Sequence, residues 1–177
     1  MGNRFLLAAT GLALALPAAA LDEPSGLAAP LRVSAAEVPA FMLTGDGVYV
    51  YQCRASQTVA NAYEWAFLVP DATLYDGNRS VARHATVGTF EALGDRSSIS
   101  GIVRGSQAAG VANLPWVLIR AQPLSESGMF AGVTSIQRVN TNGGAAPTTG
   151  CDASHEGVEA RVAYRADYYF YKLRGQT

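Results

Sequence analysis

The sequence predicts an all-β fold: a single-domain antiparallel β-sandwich or barrel with long loops, preceded by a cleaved signal peptide. Three observations carry that prediction. Apolar residues recur at period two in several short runs. Those runs are separated by turn-forming stretches such as "TGDG", "PDATLYDGN", "LGDRSS", "SESG" and "NTNGG". No segment carries an apolar stripe at helical spacing over three turns.

Taken in order, the chain of 177 residues opens on a leader. "MGNR" supplies a positive start, "FLLAATGLALAL" an apolar run, and "PAAA" the small side chains that a signal peptidase accepts. Cleavage is expected after Ala20, so residues 1–20 form the signal peptide. The run is too short for a membrane anchor, which needs roughly 20 apolar residues, and no later segment is apolar enough to span a bilayer. Residues 21–43, rich in Pro, Ala and Ser, read as an extended arm, and 44–177 as the β-domain.

Within that domain "GVYVYQC" sets Tyr49, Tyr51 and Cys53 on one face and Val48, Val50 and Gln52 on the other. "YEWAFLVP" alternates Tyr63, Trp65 and Phe67 with Glu64, Ala66 and Leu68, and is expected to end at Pro70. "SSISGIV" is a short strand. "LPWVLIRAQ" is apolar almost throughout, as in a strand buried on both faces. "GVTSIQRVN" is another short strand. In "GVEARVAYRADYYFY" the residues Val158, Ala160, Val162, Tyr164, Ala166, Tyr168 and Phe170 share one face, opposite Glu159, Arg161, Arg165 and Asp167. Its length predicts a bend or bulge.

The stretch "TSIQRVNTNGGAAPTTGC", Thr134 to Cys151, begins as a strand and dissolves into a long polar loop. Asn142, Gly143 and Gly144 allow positive φ and Pro147 stiffens the path. The loop ends at one of only two cysteines. Export would place Cys53 and Cys151 where disulfides persist, and one bond between them would restrain the loop. A zinc site is the alternative, but the cysteines and two histidines lack paired spacing, so no metal and no cofactor is expected. Loss of the leader removes Arg4 from 13 basic residues set against 14 acidic ones. The slightly acidic remainder has no electrostatic draw to nucleic acid.

The pieces "GDGVYVYQC", "YEWAFLVPDATLYD", "ARHATVGTFEA", "LPWVLIRAQ", "GVTSIQRVNTNGGAAPTTGC" and "AYRADYYFY" together resemble a family of secreted bacterial and fungal proteins catalogued as domain of unknown function 3455. The resemblance runs from Thr44 to Tyr171 and is most specific in "IQRVNTNGGAAP" with its cysteine and in "YRADYYFY". The family pattern G-x-H followed by G-P-T-W reads "RHATVGTFE" here. Arg83 precedes the histidine, Val87-Gly88 replaces Gly-Pro, and Phe90 stands for the tryptophan, so no role that needs an indole there carries over. The resemblance implies a grouping and no activity.

Candidate chemistry centres on His84, read as lying in a polar connection between strands. Glu91 or Asp95 would orient it if it were a general base. The alternative is a histidine bonded to loop carbonyls. His155, beside Glu156, reads as a solvated loop residue. Arg138 offers a donor fork for an anionic ligand, or else an ion pair to Asp167 or Glu159. His84, Arg138 and Asn142 are expected to line one concave site. Tyrosines 49, 51, 164, 168, 169 and 171, with Trp65 and Trp116, suit either a ligand-binding mouth or a core. No nucleophile motif accompanies them. The expected function is therefore an exported binding or surface-interaction module for a small molecule or carbohydrate. A small hydrolase or isomerase using His84 with Glu91 or Asp95, and a structural envelope or matrix protein, are the alternatives.

Overall fold

The computed structural model describes residues 21–175, so the expected signal peptide lies outside the described residues. Eight antiparallel strands follow one another around a closed barrel, each paired with its neighbours in sequence and the last with the first. They are β1 (Glu37–Ala55), β2 (Tyr63–Asp76), β3 (Arg79–Thr86), β4 (Thr89–Ala92), β5 (Ser98–Gln107), β6 (Trp116–Pro123), β7 (Val133–Gly143) and β8 (Glu159–Leu173). Closure decides between the two expected architectures in favour of the barrel, and it gives every strand a partner on both sides over at least part of its length. An eight-stranded barrel has an interior just wide enough for side chains to fill or for one small ligand.

Alternation sends apolar side chains inward, as on β8, where Tyr164, Ala166, Tyr168 and Phe170 are all buried. Ion pairs such as Arg161–Asp71 and Arg83–Glu91 lie on the partly exposed outside. Among the described residues no helix is long and apolar enough to cross a membrane. One end of the interior is filled by rings: Phe170 stacks on Phe41 at 4.7 Å and lies 5.3 Å from Phe130. Leu43, Ile99, Val133 and Ile136 join the same buried core.

Several strands depart from the sequence expectation for identifiable reasons. β1 starts at Glu37, inside the stretch read as an arm. The arm proper crosses the outside of the barrel, with a one-turn 3₁₀ helix at Ala29–Leu31 and a fully buried Leu31. Gln137, pointing outward from β7, donates to the Leu31 carbonyl at 2.7 Å and accepts from the Tyr171 hydroxyl at 2.5 Å. β6 alternates, burying Val117, Ile119 and Ala121 while Arg120 is exposed, rather than being buried on both faces. β8 runs unbulged; the extra residues fall in its neighbours, at Pro39/Phe41 of β1 and at two points on β7.

β2 continues through Pro70 to Asp76. Pro70 pairs with Tyr49 of β1, whereas pairing with β3 begins only at Ala72. The missing N–H thus sits where β2 has no neighbour on that side, which is where a strand tolerates proline. The same register exposes a feature of the wall. The β3–β4 hairpin is short and turns at Val87-Gly88, so the first half of β2 and the last half of β5 rise above it unpaired with each other. The barrel is closed at its girth and notched at one end.

Candidate functional site

The notch opens into a cavity of about 340 Å³ inside the barrel. Phe67 and Pro70 of β2, Val87 and Gly88 of the hairpin tip, and Ile102 and Val103 of β5 form its mouth. Phe67, Val87, Ile102 and Val103 are all exposed, an apolar rim where a closed barrel would show paired backbone. A bulge between Val103 and Gly105 on β5 disturbs the alternation there, which leaves the adjacent Ile102 and Val103 both facing solvent. Gly88 holds the hairpin tip close to β5: its carbonyl accepts from Gly101 N at 2.7 Å, and its φ is +68°.

Deeper in, the lining becomes aromatic and basic. His84 and Arg138 both face this cavity together with Tyr49, Phe90 and Tyr168. His84 stands on β3, in register with Ala72 of β2, rather than in a connection between strands. The outward Arg83 pairs with Glu91, while the next residue points inward and stacks on Phe90 at 4.2 Å. A bulge between Arg83 and Thr86 follows immediately. Bulges re-aim side chains beside sites, and this one lies next to the only histidine in the interior. Gly45 makes room for the opposite wall, since a Cβ there would stand 2.6 Å from the Tyr168 ring.

The electrostatics of the pair are unusual. His84 is 5% exposed and its Nδ1 finds no hydrogen-bond partner. Burial, reinforced by the charge of Arg138, pushes its pKa down from 6.5 to about 3, so the ring is neutral at physiological pH. Arg138 is 6% exposed. It donates from Nη1 to the Tyr49 hydroxyl and from Nη2 to the Pro115 carbonyl at 2.9 Å, and its Nε is unpartnered. Burial opposes its charge, but the surrounding Tyr49, Tyr168 and Tyr164 outweigh that and raise its pKa. Burial also raises the pKa of Tyr168 to about 12. The Tyr164 and Tyr168 hydroxyls bond each other at 3.0 Å.

Of the three residues expected to share a site, the structure brings two together. Asn142 is exposed on the outer face of β7, opposite Arg165. Between the pairs Val139–Asp167 and Asn142–Arg165 one β8 residue, Ala166, opposes two on β7, Asn140 and Thr141, and Asn140 takes φ +51°. That extra residue reverses the side-chain sense between Arg138 and Asn142. The ion pair considered for Arg138 does not form, because Arg138 faces Tyr168 across the strands while Asp167 lies on the other face. Asp167 bonds Asn140 instead, at 2.8 Å.

The carboxylates considered for His84 are also engaged elsewhere. Glu91 is held by Arg83 and Arg96 on the barrel exterior, and Asp95 caps the Ser97 and Met129 amides. Neither orients the imidazole. His155 bonds Asp152 and Ser154 in the exposed loop.

The loop that follows β7, residues 144–151, is termed the roof. Cys53 and Cys151 are disulfide-bonded, which removes both as metal ligands. Gly143 and Gly144 pair with the segment before β6 around a buried Leu114. Tyr51 donates to the Gly144 carbonyl at 2.6 Å and Trp65 to the Thr149 carbonyl at 2.8 Å. These bonds explain why a strand ending in so loose a sequence still has an ordered course. The rim residues Val87, Ile102 and Val103 escape sequence reading; the one available signal is two adjacent apolar residues in "SGIVRG", a break in period two.

A family model described as protein of unknown function, DUF3455, matches residues 34–172. No curated protein and no solved structure matches the chain.

Proposed function

The chain belongs to the family of proteins of unknown function DUF3455, and on that premise we propose that it is a binding protein which takes a small, largely apolar molecule into the barrel through the notch. The observation that carries this reading is the cavity itself: about 340 Å³, open between unpaired strand halves, rimmed by exposed apolar residues and furnished with a few inward polar groups. Its volume lies in the range of ligand sites, and that mixture of apolar wall with few polar groups is their usual make-up. An apolar wall favours such a ligand over a carbohydrate, whose many hydroxyls would need more partners than His84, Arg138, Tyr49 and Tyr168 supply. Binding is also favoured over acid–base catalysis, because His84 has no carboxylate to orient it and a pKa far from neutrality. The disulfide supports an exported, oxidising setting for this role.

The test is fluorescence of the uncharged apolar dye N-phenyl-1-naphthylamine. A saturable enhancement at one site per chain is expected, weakened by Ile102→Asp or Val103→Asp at the rim. An enhancement indifferent to both rim changes would overturn the reading.

A further inference from the structure

Arg138 poses a problem of charge. A guanidinium has five N–H donors and no way to become neutral in a protein. Two of those donors meet the Tyr49 hydroxyl and the Pro115 carbonyl, and the buried Nε–H has no partner. Both acceptors are neutral. Among the described residues no carboxylate lies within ion-pair distance of Arg138, although six arginine–carboxylate pairs form elsewhere. The side chain is nonetheless almost wholly buried. A buried charge without a counter-charge is costly, and proteins ordinarily pair it. The ring of Tyr49, 5.4 Å from the guanidinium carbon, is only a partial substitute.

The surroundings limit what could supply the missing charge. His84 lines the same cavity and its Nδ1 also lacks a partner. A neutral imidazole can give one N–H bond to an acceptor. Apart from Tyr49 and Tyr168 the remaining wall is apolar: Phe67, Phe90, Val117, Ile119, and the exposed Ile102 and Val103 at the mouth. One fixed positive charge sits deep, and an oily passage leads from it to solvent.

We propose that the ligand is a small amphipathic monocarboxylate, bound carboxylate-inward against Arg138 and His84 with its apolar portion filling the notch. This rests on the binding role proposed above and adds the ligand's charge, its class and its orientation. A carboxylate is planar, matches the guanidinium fork and accepts several bonds at once. A single negative charge neutralises the one buried cation, whereas a phosphate monoester dianion would bring an excess charge into an apolar chamber. An uncharged alcohol of the same skeleton would fill the same volume and leave Arg138 unpaired.

The experiment compares decanoate, 1-decanol and decyl phosphate as competitors of N-phenyl-1-naphthylamine, at pH 7, on the full disulfide-bonded protein and on Arg138→Gln. On the unaltered protein decanoate should displace the dye roughly ten- to a hundred-fold more tightly than decanol, the span of one or two charge-assisted hydrogen bonds. Decyl phosphate should fall below decanoate. In Arg138→Gln decanoate should approach decanol while the dye still binds, a readout that a merely unfolded variant would not give. If that variant does not fold, the decanoate–decanol ratio of the unaltered protein decides alone. Equal affinity for decanoate and decanol overturns the carboxylate proposal and leaves the binding role standing. A preference for decyl phosphate over decanoate overturns the monoanion class. Failure of the dye and of all three competitors to bind overturns the binding role itself.

Discussion

Phe170 and Tyr168 stand on the same face of β8, and both are fully buried, yet their surroundings differ in kind. Phe170 is enclosed by Phe41, Phe130 and Phe90, rings that need nothing but contact. Tyr168 carries a hydroxyl that must be satisfied, bonds Tyr164, and lines the cavity together with His84 and Arg138. At the first end the barrel spends its interior on packing, and at the second it surrounds polar groups that its own residues do not saturate. The difference shows how one up-and-down barrel can be both a stable core and a container: the rings near one end hold the walls together while the short β3–β4 hairpin leaves the other end notched.

The contrast is broken most severely at the packed end. Phe170→Ala should cost about 3–5 kcal/mol, the usual range for a large ring removed from a core, measured by urea unfolding. A loss below about 1 kcal/mol would mean that this end is no better packed than the cavity end.

The roof should matter next. Reducing Cys53–Cys151 should cost roughly 2–5 kcal/mol, and the loop around Gly144 should lose amide protection before the Phe170 end does. Simultaneous loss at both ends would show that the roof is not a separate unit.

A pH profile sharpens the comparison at His84. Its folded pKa of about 3 lies below the ordinary 6.5, so the unfolded chain binds the extra proton first. Stability from this group is therefore complete above about 6.5 and is lost as pH falls toward about 3, at up to about 1.4 kcal/mol per pH unit. His84→Phe removes the titration and keeps a ring over Phe90. Its stability profile across that window should be flatter than that of the unaltered protein, and parallel profiles would contradict the burial of a neutral imidazole.

The smallest effect is expected at the rim. Ile102→Ser should change stability by less than about 0.5 kcal/mol, as for exposed positions generally, while weakening uptake of an apolar dye. A large stability loss would make the rim a part of the core.

The two ends also differ in how far they can be read from sequence. The period of β8 exposes the inward set from Tyr164 to Phe170, and the lone cysteines foreshadow the roof. β3 and β4 are missed because "RSVARHAT" mixes small and charged residues over a strand whose outer face is held by Arg83–Glu91, so its apolar signal is weak. His84 is identified as a candidate, but its inward direction depends on that strand. Arg138 and Asn142 are an even number of residues apart, which period two reads as one face. The extra residue in β7 reverses this, and nothing in "RVNTNGG" announces where a bulge will fall. The notch is invisible for the same reason: it arises from which strand halves find partners, a property of register rather than of composition.

On the proposed function the notched end, and not the ring-filled end, receives a ligand. Amide chemical-shift mapping with N-phenyl-1-naphthylamine tests it most directly. Shifts are expected at Phe67, Val87, Gly88, Ile102 and Val103, with His84 and Arg138 following and the amides around Phe41 and Phe130 unmoved. Shifts centred on Phe41 and Phe130, or spread evenly over the barrel's outer face, would contradict it.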